Sequence, residues 1–395
     1  MTQQKRPRVL VALSGGVDSS VAAALLVREG FDVAAIFYEL WSPEPKQGKG
    51  WENNCCTLEA YRDAQRVADQ LQIPLFKANI AAEFKERVVK NFVSEYAAGR
   101  TPNPCVICNT DIRFGMMFDR AVTAYNADYL ATGHYAIRDH VDSWRGTHLG
   151  SEFSETTNNE RAAHRLYVGA DAHKDQSYFL YRVPQRVLGK LLFPVGGMTK
   201  PEVRALARSL GLPTASKHDS QEICFVPKGG VAEFIKQKVG PRVAAVRDTT
   251  GKHLATHESV ATVTIGQRRG LGAFGAPYYV VNKDITNNTI TVTSNAHDRR
   301  LFAAEITLSD VVWVAGPPSE GQNATARGRH GQEPFEVQVR QKGSAWVVAP
   351  LLPTRTIASG QTLVLMNGPE VLGGGTVRHS KTCATLPAND LVTTS

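Results

Sequence analysis

Ser14-Gly15-Gly16-Val17-Asp18-Ser19-Ser20 gathers glycines, hydroxyls and one carboxylate in seven residues. Two glycines let a backbone turn sharply and come close to a ligand, while hydroxyls and exposed N–H groups are donors for an anion. The same residue types also suit a plain tight turn. The string lacks the lysine of a Walker-type loop and the G-x-G-x-x-G of a dinucleotide site. A second segment, Thr101-Pro102-Asn103-Pro104-Cys105-Val106-Ile107-Cys108-Asn109, pairs two cysteines behind two prolines that fix an extended approach. Asn109–Asp111 is expected to cap a helix running through Met116, Met117, Ala121 and Tyr125. Cys108 then sits beside a helix N-terminus, where the dipole favours thiolate, the form that attacks sulfur or activated carbon.

Three readings of this C-x-x-C stay open on the residues alone: a buried structural pair, half of a metal or iron–sulfur site, or a redox and nucleophilic pair. The third segment, Ser220-Gln221-Glu222-Ile223-Cys224-Phe225-Val226, holds a cysteine that by itself suits a packed core. Cys55-Cys56 could complete a ligand set with Cys224, and Cys383 lies near the end of the chain. Cys108 and Cys224 are 224 − 108 = 116 residues apart, so only folding could unite them.

The elements that must position these segments alternate strand and helix over residues 8–215. Arg8–Leu13, Phe31–Phe37, Ile73–Phe76 and Tyr129–Thr132 read as strands. Asp18–Glu29 reads as a helix stopped by Gly30, and Ala82–Ala97 as another. Leu58, Tyr61, Ala64, Ala68 and Leu71 recur at helical spacing. Thr199 as N-cap, with Pro201 and Glu202 in the first turn and Gly211 at the end, brackets one more helix. This alternation predicts a parallel sheet covered by helices. After about residue 216 the helical signal fades into short β-branched or aromatic runs: Ala261–Ile265, Tyr278–Val281, Thr289–Thr293, Val311–Val314, Phe335–Val339, Trp346–Val348 and Thr362–Leu365. Such spacing predicts a small β domain followed by a barrel or sandwich. Asp139–Ala163 reads as a surface loop, and the last fifteen or so residues as a frayed tail.

The 395-residue chain is two to three domains' worth. Its composition, 42% hydrophobic and 21% charged, is that of a globular protein and excludes a disordered, collagenous or coiled-coil one. Its longest apolar stretch, Val21 to Val27, is far short of the roughly 20 residues that cross a bilayer, and the N-terminus has no apolar signal core; a cytoplasmic protein with no membrane partner is expected. A net charge of +8 favours a polyanionic partner such as nucleic acid. Six cysteines in such a chain point to catalysis, metal binding or buried thiols rather than to a disulfide scaffold.

The glycine string resembles the pyrophosphate loop of the ATP pyrophosphatases, which cleave ATP between its α and β phosphates with magnesium assisting. Beyond that loop, GRTPNPCVICN, ATGHY at 131–135, KDQSYFL at 174–180, SQEICFV and TIGQRRGLG at 264–272 stand in the order of one family, and the whole chain resembles the bacterial tRNA-specific 2-thiouridylases. The resemblance implies a Rossmann-like ATP-pyrophosphatase domain over 1–215 with a parallel sheet, a small β-rich domain over 216–282 and a C-terminal β-barrel over 283–395. It implies an ATP-dependent sulfur transfer to the wobble uridine of tRNA. ATP and Mg2+ would lie against Ala12, Leu13, Ser14, Gly15, Gly16, Val17, Asp18 and Ser19, with Tyr38 and Gly133. Cys224 would carry persulfide received from a cysteine desulfurase or relay protein, and Cys108 would act as nucleophile and close a disulfide with it. Asn103, Pro104 and Cys105 would face the flipped uracil. His134, Lys174, Asp175, Gln176, Arg340, Gln341 and Gln361 would contact tRNA elsewhere, and Gln267-Arg268-Arg269 would suit phosphate. Cys105 stands where some members of the family carry Asp, and Gln341 replaces an aromatic. The rival enzyme class is a tRNA sulfurtransferase with an iron–sulfur cluster on Cys105, Cys108 and a third cysteine; the rival of another kind is an RNA-binding protein with structural zinc.

Overall fold

In the computed structural model, residues 6–40, 57–138, 163–219, 223–227, 230–272 and 275–385 are described. The chain opens on β1 (Arg8–Ala12), helix α1 (Val17–Arg28), β2 (Asp32–Glu39), helix α2 (Leu58–Leu71) and β3 (Leu75–Asn79). β4 (Tyr129–Ala131), a hairpin of β5 (Ala136–Arg138) with β6 (Leu166–Val168), and β7 (Leu191–Leu192) follow. Five of these strands form a parallel sheet of order β3-β2-β1-β4-β7. Both faces of that sheet are covered, which is why its central strands read as unbroken apolar runs. Val9, Val11, Val33, Ala35 and Phe37 face Ala64, Val67 and Ala68 of α2, whereas Leu10, Ile36 and Tyr38 face the opposite cluster with Phe84, Phe92 and Ile112. Alternate residues thus supply alternate layers. α1 is wedged between β1 and the helix Lys200–Ser209, Val17 and Val21 packing with Val203 and Ala207.

Two helical stretches on the second face are not uniformly α. Residues 81–97 pass through a π-wound turn at Lys85–Val89. Residues 104–125 run without a break from Pro104–Ile107 through a π-wound Cys108–Met116 into Met117–Tyr125. The expected cap at Asn109–Asp111 is therefore corrected: the helix starts six residues earlier, because Asn103 accepts hydrogen bonds from the backbone of Cys105 and Val106 and Pro104 suits the first helical position, so Cys108 lies in the second turn rather than beside the N-terminus.

Helix Gly230–Val239 leads into a four-stranded sheet of β8 (Ala244–Asp248), β9 (His253–His257), β10 (Tyr279–Asp284) and β11 (Thr289–Thr293), in the order β10-β11-β8-β9. That helix lies where the helical signal was expected to fade. Ala261–Ile265 is not a strand: Val260–Thr262 is a 3-10 turn with Val260 and Ala261 buried, so its apolar pattern reports packing. A break at 282 would cut β10, and β11 belongs to the same sheet, which ends at Thr293. A break at 215 falls short as well, since Phe225 and Val226 pack into the first domain's core.

β12 (Phe302–Trp313), β13 (Asn323–Arg327), β14 (Phe335–Lys342), β15 (Ala345–Pro350), β16 (Thr354–Arg355), β17 (Thr362–Asn367) and β18 (Glu370–Thr382) complete the chain. Six of them close a barrel in the order β12-β15-β14-β13-β17-β18, shut by antiparallel pairing of β12 with β18. β18 also pairs with β6, so the hairpin of the first domain extends the barrel's sheet. β18 extends to Thr382 and Cys383 is buried, so the expected tail does not begin at residue 381; residues 386–395, the expected loop over 139–162 and Cys55-Cys56 lie outside the described residues.

Candidate active site

β1 pairs with β2 on one side and β4 on the other, so the chain reverses direction across the sheet beside β1. Crevices at the C-terminal ends of strands flanking such a point are where α/β sheets bind ligands. The glycine string occupies this place, following β1 and starting α1. Gly15 has φ +73°, and a Cβ there would collide with the Ala60 carbonyl oxygen of α2. Ser19 Oγ lies 3.2 Å from the Ser14 N–H, 3.1 Å from Ser14 Oγ and 3.1 Å from the Gly16 carbonyl, closing the loop on itself. No side chain caps α1 at Gly16, which leaves first-turn N–H groups for an anion. Gly133, two residues after β4, abuts the same turn: a Cβ would stand 2.6 Å from the Ser19 nitrogen. Tyr38, near the end of β2, is buried, and burial pushes its phenol well up.

Charge converges on the loop. Asp18 accepts from Lys200 Nζ at 2.8 and 2.9 Å and from the Tyr135 hydroxyl at 2.7 Å. Lys200 Nζ also lies 2.8 Å from Asp219, which takes hydrogen bonds from Lys174 at 2.7 Å and Arg204 at 2.8 Å. Burial pushes the Asp219 carboxyl up, but hydrogen bonds from Lys174 and Lys200 outweigh it and hold it at about 2. Lys200, nearly fully buried, was not foreseen as a site residue, nor was Asp219. The available signal was a lysine in the first turn of a helix, where the dipole disfavours cations. Lys174 is held in this network; Asp175 is buried, its carboxylate accepting from Gly169, Ser177 and Arg327; Gln176 is bonded to the Tyr135 backbone through its own backbone N–H and its side-chain carbonyl. His134 is buried between Phe114 and Phe193, bonded to Thr132 at 2.8 Å, and burial lowers its pKa to about 3, so it stays neutral.

The thiols lie in a different medium. Cys108 is 8% exposed and belongs to the apolar cluster of Phe84, Phe92 and Phe225, against which Cys224 also packs. Phe225 anchors the Cys224 segment, its ring centroid 5.2 Å from Phe92 and 5.7 Å from both Phe84 and Phe234. Cys108 begins the π-wound stretch, a distortion common at functional sites. Asn109 donates to the Cys105 carbonyl at 3.1 Å, and its own side-chain oxygen is buried without a hydrogen-bond partner. Among the described residues no three His, Cys, Asp or Glu side chains are grouped to hold a metal.

The Asn103–Cys105 turn is where the three parts of the chain meet. Burial pushes the Tyr178 phenol up, a hydrogen bond with the Asn103 side chain opposes this, and the Tyr178 hydroxyl donates to the Thr362 carbonyl of β17 at 3.0 Å. Thr101 donates its N–H to the Ser359 carbonyl at 2.8 Å and its hydroxyl lies 3.2 Å from that of Thr264 in the central domain. Gln361, two residues on from Ser359, has a buried side-chain oxygen without a hydrogen-bond partner. Arg340 and Gln341 lie exposed on β14, and Arg268 and Arg269 are exposed, while Gln267 is used to hold its own turn by accepting from the Thr264 N–H at 2.9 Å. No helix among the described residues is long and apolar enough to cross a membrane.

Three family models match the chain in succession: a tRNA methyl transferase HUP domain over residues 7–228, a tRNA methyl transferase PRC-barrel domain over 232–294 and an aminomethyltransferase beta-barrel domain over 303–377. The tRNA-specific 2-thiouridylase of Geobacter metallireducens is 39% identical over 388 residues, 97% of this chain and 100% of that protein. That of Streptococcus thermophilus is 37% identical over 384 residues, 95% of this chain and 96% of the relative. Among solved structures, a 4-thiouridine synthetase–RNA complex with bound ATP aligns at 15% identity and a TM-score of 0.32, covering 59% of this chain and 50% of that one.

Proposed function

Since the chain belongs to the tRNA-specific 2-thiouridylase family, we propose that it is a cytoplasmic sulfurtransferase converting the wobble uridine, position 34 of tRNA, to 2-thiouridine at the expense of ATP. The glycine loop fits ATP: Gly15 and Gly133 leave no room for side chains, the helix start above it is uncapped, and the buried Lys200 reaches it through Asp18. Ala12 to Ser19, Tyr38 and Gly133 would line the nucleotide. One loop carboxylate, Asp18, suits a Mg2+ held otherwise by phosphate oxygens and water, which would neutralise charge on the leaving pyrophosphate.

The uridine O2 attacks the α-phosphorus, pyrophosphate leaves, and the oxygen becomes part of a good leaving group. A cysteine desulfurase or relay protein loads Cys224 as a persulfide. The terminal sulfur of Cys224 attacks C2, AMP departs with the oxygen, and Cys108 attacks the inner sulfur of Cys224. The C2 substituent is released as the thiocarbonyl and a Cys108–Cys224 disulfide remains, which an external dithiol reduces. Burial of Cys108 in an apolar cluster, against which the half-buried Cys224 packs, supports this sequence, because apolar surroundings keep water from the persulfide and the adenylated base. Asn103, Pro104 and Cys105 would meet the base once it is splayed from the anticodon loop. With Cys105 in place of a carboxylate, the proton on the uridine ring must leave by another group.

The observation that carries the reading is an uncapped glycine loop at the sheet's crevice, joined through Asp18 to the buried Lys200, in a chain whose Cys108 and Cys224 share one apolar cluster. Its test is tRNA from cells depleted of the protein, rescued by wild type, Cys108→Ser or Cys224→Ser. Loss of 2-thiouridine restored by wild type and by neither variant is expected; unchanged 2-thiouridine on depletion would refute it.

A further inference from the structure

Lys200 and Arg204, one turn apart on the helix Lys200–Ser209, and Lys174 from a separate loop all reach Asp219 within 2.8 Å. Lys200 reaches onward to Asp18 in the glycine loop, so it bridges the loop and Asp219, and Lys174 and Arg204 meet it at Asp219. The segment before Asp219 is fixed to the same group: Arg204 donates to the carbonyls of Ala215 at 3.0 Å and Lys217 at 2.8 Å. Its far side is held by Lys217, which pairs with the buried Asp63 of α2 at 2.5 Å. A nearly buried lysine needs counter-charge, and hydrogen bonds from Lys174 and Lys200 hold the Asp219 carboxyl down at about 2.

A triphosphate seated on the glycine loop brings several further negative charges to this cluster. We infer that Lys200, Lys174 and Arg204 are phosphate-contacting residues of the nucleotide site, and that Asp219 is an internal anion competing with the phosphates for them. The inference rests on the ATP-dependent reading above and deepens it. Cys224 follows Asp219 by 224 − 219 = 5 residues, at most about 17 Å of extended chain. Transfer of cations from Asp219 to phosphate therefore frees the chain five residues before the sulfur-carrying thiol, and the accessibility of Cys224 reports that exchange. By reciprocity, whatever holds Asp219 in place weakens phosphate binding.

The test uses the full chain, inorganic pyrophosphate as the probe and no tRNA, so that it stands apart from the thiolation assay. Pyrophosphate affinity is measured by calorimetry for wild type, Asp219→Asn and Lys200→Met, and alkylation of Cys224 under reducing conditions is followed by peptide mass spectrometry. Removing the competing carboxylate should tighten pyrophosphate binding on the order of tenfold, and removing the lysine should weaken it by at least as much. Pyrophosphate should speed Cys224 alkylation in wild type severalfold and leave it unchanged in Asp219→Asn, where labelling is already fast. Unchanged or weaker binding in a folded Asp219→Asn overturns the competition. Should that variant not fold, wild type decides alone: Cys224 labelling insensitive to saturating pyrophosphate overturns the inference. Loss of cellular 2-thiolation without these effects would leave the function standing and the inference refuted.

Discussion

Asp18 and Asp219 are each held by hydrogen-bonded cations, in a cluster where every described partner is polar or charged. Cys108 belongs to an apolar cluster that includes Phe84, Phe92 and Phe225, and Cys224 packs against it. The first region is organised by charge and answers to a ligand that alters charge; the second is organised by volume and answers to a change of shape. A reaction that activates an oxygen with phosphate and then delivers sulfur asks for this division: the ionic half must accept and release a polyanion, and the apolar half must keep water from a reactive sulfur.

The deepest cut between the halves is at the thiols. Cys108→Ser and Cys224→Ser should each lower thiolation by on the order of 10³-fold or more, and the double variant should be no worse than either, because the two act as a unit. Pyrophosphate binding should survive in both, measured by calorimetry; its loss would mean the halves are not separable. Next in size are Phe225→Ala and Gly15→Ala, one from each region. Emptying the Phe225 site should cost about 3–4 kcal/mol in denaturant unfolding while leaving nucleotide affinity within about twofold in the folded protein. Gly15→Ala, strained at φ +73° and driven into the Ala60 carbonyl, should cost about 1–3 kcal/mol and abolish nucleotide binding.

Acid separates the regions by pH window. His134 is buried neutral with its pKa lowered from 6.5 to about 3, so the unfolded chain binds the extra proton; its contribution is whole above pH 6.5 and falls progressively between 6.5 and 3. Wild type should lose about 2 kcal/mol between pH 7 and 5 that His134→Gln does not lose. Asp219, depressed from 3.8 to about 2, contributes fully above pH 3.8 and its share is lost as pH falls through about 2, so Asp219→Asn should differ in acid dependence only below pH 4. Denaturant midpoints at pH 7, 5, 3 and 2 check both windows. The smallest effect lies outside both regions. Arg340→Ala, on exposed β14, should weaken tRNA binding about two- to threefold and reduce the salt slope by about one, read from filter binding at several salt concentrations.

Much of this arrangement is legible in the residues. SGGVDSS has the composition that a close-approach turn requires, and the apolar runs from Arg8 and Asp32 are what a sheet buried on both faces must contain. The cap of the Cys108 helix is misplaced by the residues because Asn103 and Asn109 are equally good caps by type; Pro104 decides between them. β18 has no counterpart among the expected strands: it carries Gly373, Gly374 and Gly375, whose lack of side chains gives no β pattern, where the strand crosses close to Val312, Leu363 and Ser309. Lys200 and Asp219 are hidden for another reason: each looks like an ordinary surface charge, and their meaning lies in partners 182 and 45 residues away, Asp18 and Lys174.

The central claim is tested most directly with purified protein, tRNA lacking the modification, ATP and a persulfide donor, following pyrophosphate and 2-thiouridine together. The account predicts one pyrophosphate released for each 2-thiouridine formed at position 34, neither appearing without ATP, and with Cys108→Ser or Cys224→Ser no 2-thiouridine. Thiouridine formed without ATP, or formed at an undiminished rate by either cysteine variant, would contradict it.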